Sequence, residues 1–197
     1  MAASSRSERT IRGPTPAATP ASGRSSGSSS KAMRSTPLGR LLVAQGQRGV
    51  LRIAWEDEPE DATLAGVAAG VGPRIVRSDR ELAATRDAIS AYLEGDDDTL
   101  DLAVDLSLAR GPFRRAVLEA LHREVHRGEV TTYGALAAEA GNPRAVRATG
   151  TACATNPVPI VVPCHRVLPA SHKLGNYGGG PDRKRALLTL EGAGWVG

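Results

Sequence analysis

Residues Asn156 to Val167, NPVPIVVPCHRV, constrain this chain more than any other stretch. An apolar run bracketed by prolines ends on a cysteine that stands directly before a histidine. The β-branched residues Ile160 to Val162, closed by Pro163, predict a buried extended segment that delivers Cys164 to a fixed spot. Any fold available to the chain has to bury this segment and hold the thiol at its end. The thiol itself has two readings. Free cysteine is often buried and packs as a small hydrophobe. It is also a nucleophile, although an ordinary thiol with a pKa of about 8.5 is only a few per cent ionised at neutral pH unless a base or a positive field assists. His165 and Arg166 are the adjacent candidates. Neighbours on an extended chain point to opposite sides, so His165 needs a bridging water or a turn to reach the sulfur.

The chain has 197 residues, 41% of them hydrophobic, enough for one medium domain or two small ones. No apolar run approaches the roughly 20 residues that span a bilayer, which predicts a soluble protein with no membrane partner. The two cysteines, Cys153 and Cys164, are too few for a disulfide scaffold or a four-ligand zinc site and point to a reducing, cytoplasmic setting with no metal. Charge is segregated. Residues 1–36 carry six basic and one acidic side chain, residues 37–106 seven and fourteen, and residues 107–197 twelve and six. The balances are +5, −7 and +6. A polyanion, if one binds, meets the basic C-terminal part, although mixed surface charge also serves plain solubility.

The Ser-, Pro- and Gly-rich residues 1–36 have almost nothing to bury and read as a disordered basic arm. Order is expected from Pro37. Leu41 to Ala44 and Val50 to Trp55 flank a Gly-containing turn and predict a hairpin; the acidic EDEPED that follows reads as a solvated loop. From Ser78 or Asp79 to Gly95 the spacing of Leu82, Ile89 and Leu93 predicts a helix, and the alternation in DTLDLAVDLSL predicts another strand. This first part, residues 37–106, is a small α/β unit with no visible chemistry.

From Gly111 the pattern is helical. Pro112 suits a first helical position, and Phe113, Val117, Leu121 and Val125 form one apolar stripe ended by Gly128. Thr132 caps a short helix that Gly141 ends, and Asn142-Pro143 caps and starts another. Two short helices around a tight turn make a helix-turn-helix. The second carries Arg144 and Arg147 beside the small residues Ala145, Ala148, Gly150 and Ala152, a combination suited to close approach and phosphate contact. Ordinary helix packing produces such pairs as well.

TTYGALA, GNPRAVRATG, PVPIVVPCHRV and GNYGGGPDRKRALLTLEG, taken together, resemble the O6-alkylguanine-DNA alkyltransferase family, also called the methylated-DNA-protein-cysteine methyltransferases. The likeness is dense from Gly111 to Gly192 and looser from Pro37 to Ser107. It implies an α+β protein: an N-terminal ribonuclease H-like α/β domain with antiparallel strands over residues 37–106, then a mainly helical winged helix-turn-helix domain over residues 107–197 that carries the active-site cysteine. It implies DNA repair by a single irreversible transfer of a methyl or other alkyl group from O6-alkylguanine, with O4-alkylthymine a further candidate. The acceptor is Cys164. The partner is double-stranded DNA containing O6-alkylguanine, the protein acts as a monomer, and there is no cofactor.

The resemblance also assigns roles. The helix-turn-helix enters the minor groove with Ala145, Ala148 and Ala152 as its thin face and Arg144 alongside, and Arg147 fills the gap left by a flipped base. Tyr133 contacts the flipped nucleotide, and Asn156 ties the helix-turn-helix to the active-site segment. His165 takes the thiol proton through water and Glu191 holds His165. The backbone at Tyr177 and Gly178 donates to guanine O6, the carbonyls of Cys164 and Val167 accept from its amine, and Pro159 packs on the alkyl group. VHRG stands where relatives often have Ile-Pro-x-Gly, and Gly178 stands where some have serine. The alternatives to the repair enzyme are a non-enzymatic protein that binds alkylated DNA and a regulatory helix-turn-helix protein with a redox-sensing cysteine. The presence of Cys164 argues against the first, and the joint presence of His165, Glu191 and Tyr177 against the second.

Overall fold

The computed structural model describes residues 38–196, so the expected disordered arm over residues 1–36 lies outside the described residues. The architecture is mixed α/β. An antiparallel hairpin of β1 (Leu41–Gly46) and β2 (Gly49–Trp55) packs with α1 (Glu60–Val71) and α2 (Asp79–Glu94). Then come α3 (Pro112–Glu124), β3 (Thr131–Thr132), α4 (Tyr133–Glu139), α5 (Val146–Ala154), β4 (Val167–Leu168) and α6 (Pro181–Leu190). Strands β3 and β4 form a short parallel pair, Thr131 opposite Val167 and Thr132 opposite Leu168. No helix among the described residues is long and apolar enough to cross a membrane.

The hairpin forms where its pattern predicts, with a register shift at Ala44/Gln45. EDEPED departs from the expected loop: Glu60 and Asp61 open α1. Pro59 ends the extended chain, and two carboxylates in the first turn suit the positive end of a helix dipole. The helix contributes Val67 to a small cluster with Ala44, Leu64 and Leu108. DTLDLAVDLSL is not a strand either. Its only ladder contact is one parallel bridge between Val50 and Val104, after which the Asp105 carboxylate accepts the Ser107 amide and turns the chain into a 3-10 helix, Leu106–Leu108. Arg48 grips the same carboxylate through Nε and Nη2 at 3.0 and 3.1 Å. Gly49 permits this approach, since a Cβ there would lie 2.1 Å from the Ala103 carbonyl oxygen.

Helix α2 spans its predicted range, ended by Gly95 at a φ of 77°, and α3 starts with Pro112 in its first turn. Thr132 caps α4 by accepting from the Ala135 amide. The next helix starts later than predicted. Asn142 accepts the Arg144 amide on its side chain, which holds residues 142–145 in a turn, and α5 begins at Val146. The largest buried cluster unites Val43, Val50 and Ile53 of the hairpin, Leu82 and Ile89 of α2, Val117 and Leu121 of α3, Leu136 of α4, and Val158, Val162 and Val167. The irregular segment 156–167 therefore lies within the main core, packed against the hairpin and helices α2 to α4.

Candidate active site

The segment after α5 is buried as expected, but it is not extended. Val162 donates to the Val158 carbonyl at 2.9 Å, Ile160 has a φ of 74°, and Cys164–Arg166 form a 3-10 turn. The prolines remove amide donors along this stretch, and Asn156 compensates. Its Oδ1 accepts from the Val158 amide at 3.0 Å, and its Nδ2 donates to the Val162 carbonyl at 2.8 Å and to Cys164 Sγ at 3.1 Å. Asn156 thus connects the end of α5 to the sulfur through a single side chain.

Cys164, His165 and Arg166 are all buried. In a 3-10 turn successive side chains point roughly 120° apart, so Cys164 and His165 leave the backbone toward different sectors of the site. Cys164 lies in the wall of a cavity of about 520 Å³ with Tyr133, Gly150, Cys153, Asn176, Tyr177 and Gly178. A smaller chamber of about 90 Å³ shares Cys164, Cys153, Tyr177 and Gly178 and adds Pro159, Asn156, Arg52, Trp55 and Glu58. Three of the last four come from the N-terminal part of the chain. Val167 lines neither chamber. Its carbonyl accepts from Lys184 Nζ at 2.8 Å, and the Cys164 carbonyl accepts the Val167 amide.

His165 Nε2 meets Glu191 Oε1 at 2.7 Å. His165 Nδ1 is buried without a hydrogen-bond partner, which leaves it free to accept a proton. Arg166 binds the other Glu191 oxygen through Nε at 2.8 Å and the Val125 carbonyl through Nη1 at 2.6 Å. Burial alone would raise the Glu191 carboxyl, but the hydrogen bonds and charges of His165 and Arg166 win and bring it down to about 2. Burial holds His165 below its ordinary value against the pull of Glu191. Burial also pushes Cys164 up to about 11, opposed by the Asn156 hydrogen bond and by Lys184. The resting sulfur is a neutral thiol, and a base has to remove its proton as it reacts. Cys153 is pushed up further by burial and then by Cys164.

Tyr177 stands edge-on to both Trp55 and His165, with ring centroids 6.2 and 6.3 Å apart. Gly179 is required beside it: a Cβ there would come within 2.7 Å of the Trp55 ring and 2.8 Å of the Tyr177 ring. On the outer surface Arg144, Arg147 and Ala148 are exposed and Ala145 half-buried. Arg144 and Ala145 belong to the turn and not to the helix. Ala152 is fully buried in the core, so it packs α5 inward and is no part of an exposed face.

Cys164, Tyr177 and Gly178 line both chambers, Tyr133 only the larger and Asn156 and Pro159 only the smaller; His165 and Glu191 line neither and form a buried pair, and Arg147 lies on the surface. Sequence reasoning missed Lys184, Tyr92 and Trp55. Lys184 sits within the basic run RKR and reads there as solvated charge, yet it is fully buried, bonds the carbonyls of Val167 and Asn176 at 2.8 and 3.4 Å, and is lowered by burial to about 8. Only its spacing with Leu187 and Leu188 on the buried face of α6 hinted at this.

Known proteins resemble this chain in sequence and in fold. Residues 112–193 match the family described as 6-O-methylguanine DNA methyltransferase, DNA binding domain. The chain is 46% identical over 157 residues to the methylated-DNA-protein-cysteine methyltransferase of Mycolicibacterium paratuberculosis, an alignment covering 79% of this chain and 88% of that one. Its counterpart from Haemophilus influenzae is 34% identical over 158 residues, covering 79% and 82%. The crystal structure of Mycobacterium tuberculosis OGT in complex with DNA superposes with a TM-score of 0.67 at 34% identity, over 80% of this chain and 89% of that one.

Proposed function

The chain belongs to the methylated-DNA-protein-cysteine methyltransferase family, and from that premise we propose that Cys164 is the acceptor to which it transfers the alkyl group of O6-alkylguanine during DNA repair. The observation that carries this assignment is the placement of Cys164 in the wall of the larger cavity, next in the chain to His165, which is paired with Glu191.

The family resemblance implies the following steps. Arg147 and Ala148, exposed on the first turn of α5, face the minor groove with Arg144 and Ala145 of the preceding turn. Arg147 occupies the gap left when the damaged nucleotide flips, at a cost of a few kcal/mol that is least for a poorly paired base. The base enters the larger cavity, where Tyr133 contacts it and the backbone at Tyr177 and Gly178 donates to O6. The alkyl group points to the smaller chamber and Pro159. His165 Nδ1 receives the thiol proton through a bridging water, and Glu191 balances the imidazolium charge. The sulfur forms its bond to the alkyl carbon as the carbon–oxygen bond breaks and the electron pair remains on guanine, which takes up a proton in turn. The thioether has no leaving group, so each molecule reacts once. The Cys164 and Val167 carbonyls each have a second lone pair for the guanine amine.

The same reading makes residues 37–106 a ribonuclease H-like domain and residues 107–197 a winged helix-turn-helix domain. It makes the protein a cytoplasmic monomer whose partner is duplex DNA carrying O6-alkylguanine, with O4-alkylthymine a further candidate. Mass spectrometry after mixing the protein with a duplex containing O6-methylguanine tests it. One added methyl per molecule on Cys164 is expected, none in Cys164→Ala, and full transfer in Cys153→Ala. Methyl found on Cys153, or transfer surviving in Cys164→Ala, would refute the assignment.

A further inference from the structure

The N-terminal part of the chain reads from sequence as having no chemistry, yet one of its side chains touches the carboxylate behind His165. Tyr92, in the last turn of α2, is 1% exposed, and its hydroxyl donates to Glu191 Oε1. That oxygen also accepts from His165 Nε2 at 2.7 Å and from Arg166 Nη2 at 3.2 Å. Arg166 Nη2 lies 3.1 Å from the Tyr92 oxygen as well. The phenol therefore accepts a hydrogen bond from the guanidinium and donates one to the carboxylate. The Arg127 guanidinium covers the Tyr92 ring, 5.0 Å from its centroid.

We infer that Tyr92 is a positioning residue for alkyl transfer: its hydroxyl, oriented by Arg166, fixes Glu191 Oε1 against His165 and so couples the N-terminal part of the chain to the base. The inference rests on the reading of His165 as that base. A carboxylate held by one arginine can rock about its side-chain torsions. A donor from a separate helix, on the oxygen that holds the imidazole, removes that freedom, and a bond to a charged acceptor is the stronger kind. Burial, followed by Glu191, raises the Tyr92 hydroxyl to about 12, so it stays a donor through the neutral range. The charged groups acting on His165 are Glu191, Arg166 and Lys184. Those acting on Glu191 are His165 and Arg166, with Tyr92 as its neutral donor.

Tyr92→Phe keeps the ring and its contact with Arg127 and deletes only the hydroxyl. Three measurements on the full chain are compared with wild type: single-turnover methyl transfer from duplex O6-methylguanine between about pH 5 and 9, an NMR titration of the His165 ring, and thermal melting. Transfer at neutral pH is expected to fall about tenfold. Without the phenol sharing its charge, Glu191 holds the imidazolium more strongly, so the acid limb of the rate profile and the His165 titration both move to higher pH, by on the order of half a unit. A His165 titration that does not move overturns the inference, whether the rate is unchanged or falls together with the melting temperature. If wild type itself transfers no methyl to Cys164, the functional reading fails separately, and the ring titration still decides the role of Tyr92.

Discussion

Glu191→Gln removes one charge from a buried cluster and keeps the shape of the side chain. In the folded protein the Glu191 carboxyl lies at about 2 against an ordinary 4.5, because His165 and Arg166 outweigh the effect of burial. At about 1.4 kcal/mol per pH unit, the difference corresponds to about 3 kcal/mol of folding free energy at neutral pH. The folded value lies below the unfolded one, so the unfolded chain binds the proton first as the pH falls. The stabilisation is complete above the unfolded value and disappears as the pH drops toward the folded one. By about pH 3.5 nearly half of it is lost. Part of that figure of about 3 kcal/mol is the cost of leaving Arg166, only 7% exposed, without its counter-charge at a buried site, not a further loss added to it. Urea denaturation at pH 7 should show Glu191→Gln less stable by about 3 kcal/mol, with a melting temperature lower by about 6 to 12 °C. The gap to wild type should narrow by nearly half at pH 3.5. A gap that stays constant between the two pH values would mean that Glu191 does not carry the charge the geometry assigns to it, and equal stability at pH 7 would refute the buried ion pair.

Two further outcomes test the remaining parts of the site. Arg147→Ala should slow repair of duplex O6-methylguanine by about tenfold or more while leaving reaction with a free O6-alkylguanine base close to wild type, since only the duplex has a stack to fill; equal losses on both substrates in single-turnover assays would assign Arg147 to folding instead. Lys184→Met keeps the length of the side chain but removes the cation acting on Cys164 and the donor to the Val167 and Asn176 carbonyls. It should lower the rate with free base by about tenfold, the scale of one lost charge-assisted hydrogen bond. A wild-type rate for that variant would show that the ammonium does not support the thiolate.

Local patterning accounts for the elements that the sequence predicted well. The hairpin, α2, α3 and the cap of α4 rest on alternation, helical spacing and nearby stop signals, interactions that span only a few residues. Where a side chain competes for a backbone amide the prediction slips. Asp105 takes the Ser107 amide and ends a strand-like pattern in a 3-10 turn, and Asn142 takes the Arg144 amide and postpones α5 to Val146. Helix α1 was missed because it has little amphipathic signature and buries only Val67.

Cys164, His165, Glu191 and Tyr177 were legible as a set because the chemistry needs those residue types and the resemblance supplied their roles. Their arrangement was not legible. Sequence reading put Cys164 and His165 on opposite sides of an extended segment, whereas the segment ends in a 3-10 turn that sends the two side chains roughly 120° apart. Tyr92 meets Glu191 across 99 positions of sequence, and Lys184 becomes a buried cation only because α6 packs its face against β4 and the Asn176 backbone. By itself the sequence determined the candidate reacting residues, the two short helices of residues 133–154 and the charge segregation, all of which depend on residue identity and short-range spacing. Only the tertiary structure decided which buried donors surround each charge, because the cost of burying a charge is met by partners that packing brings from remote parts of the chain.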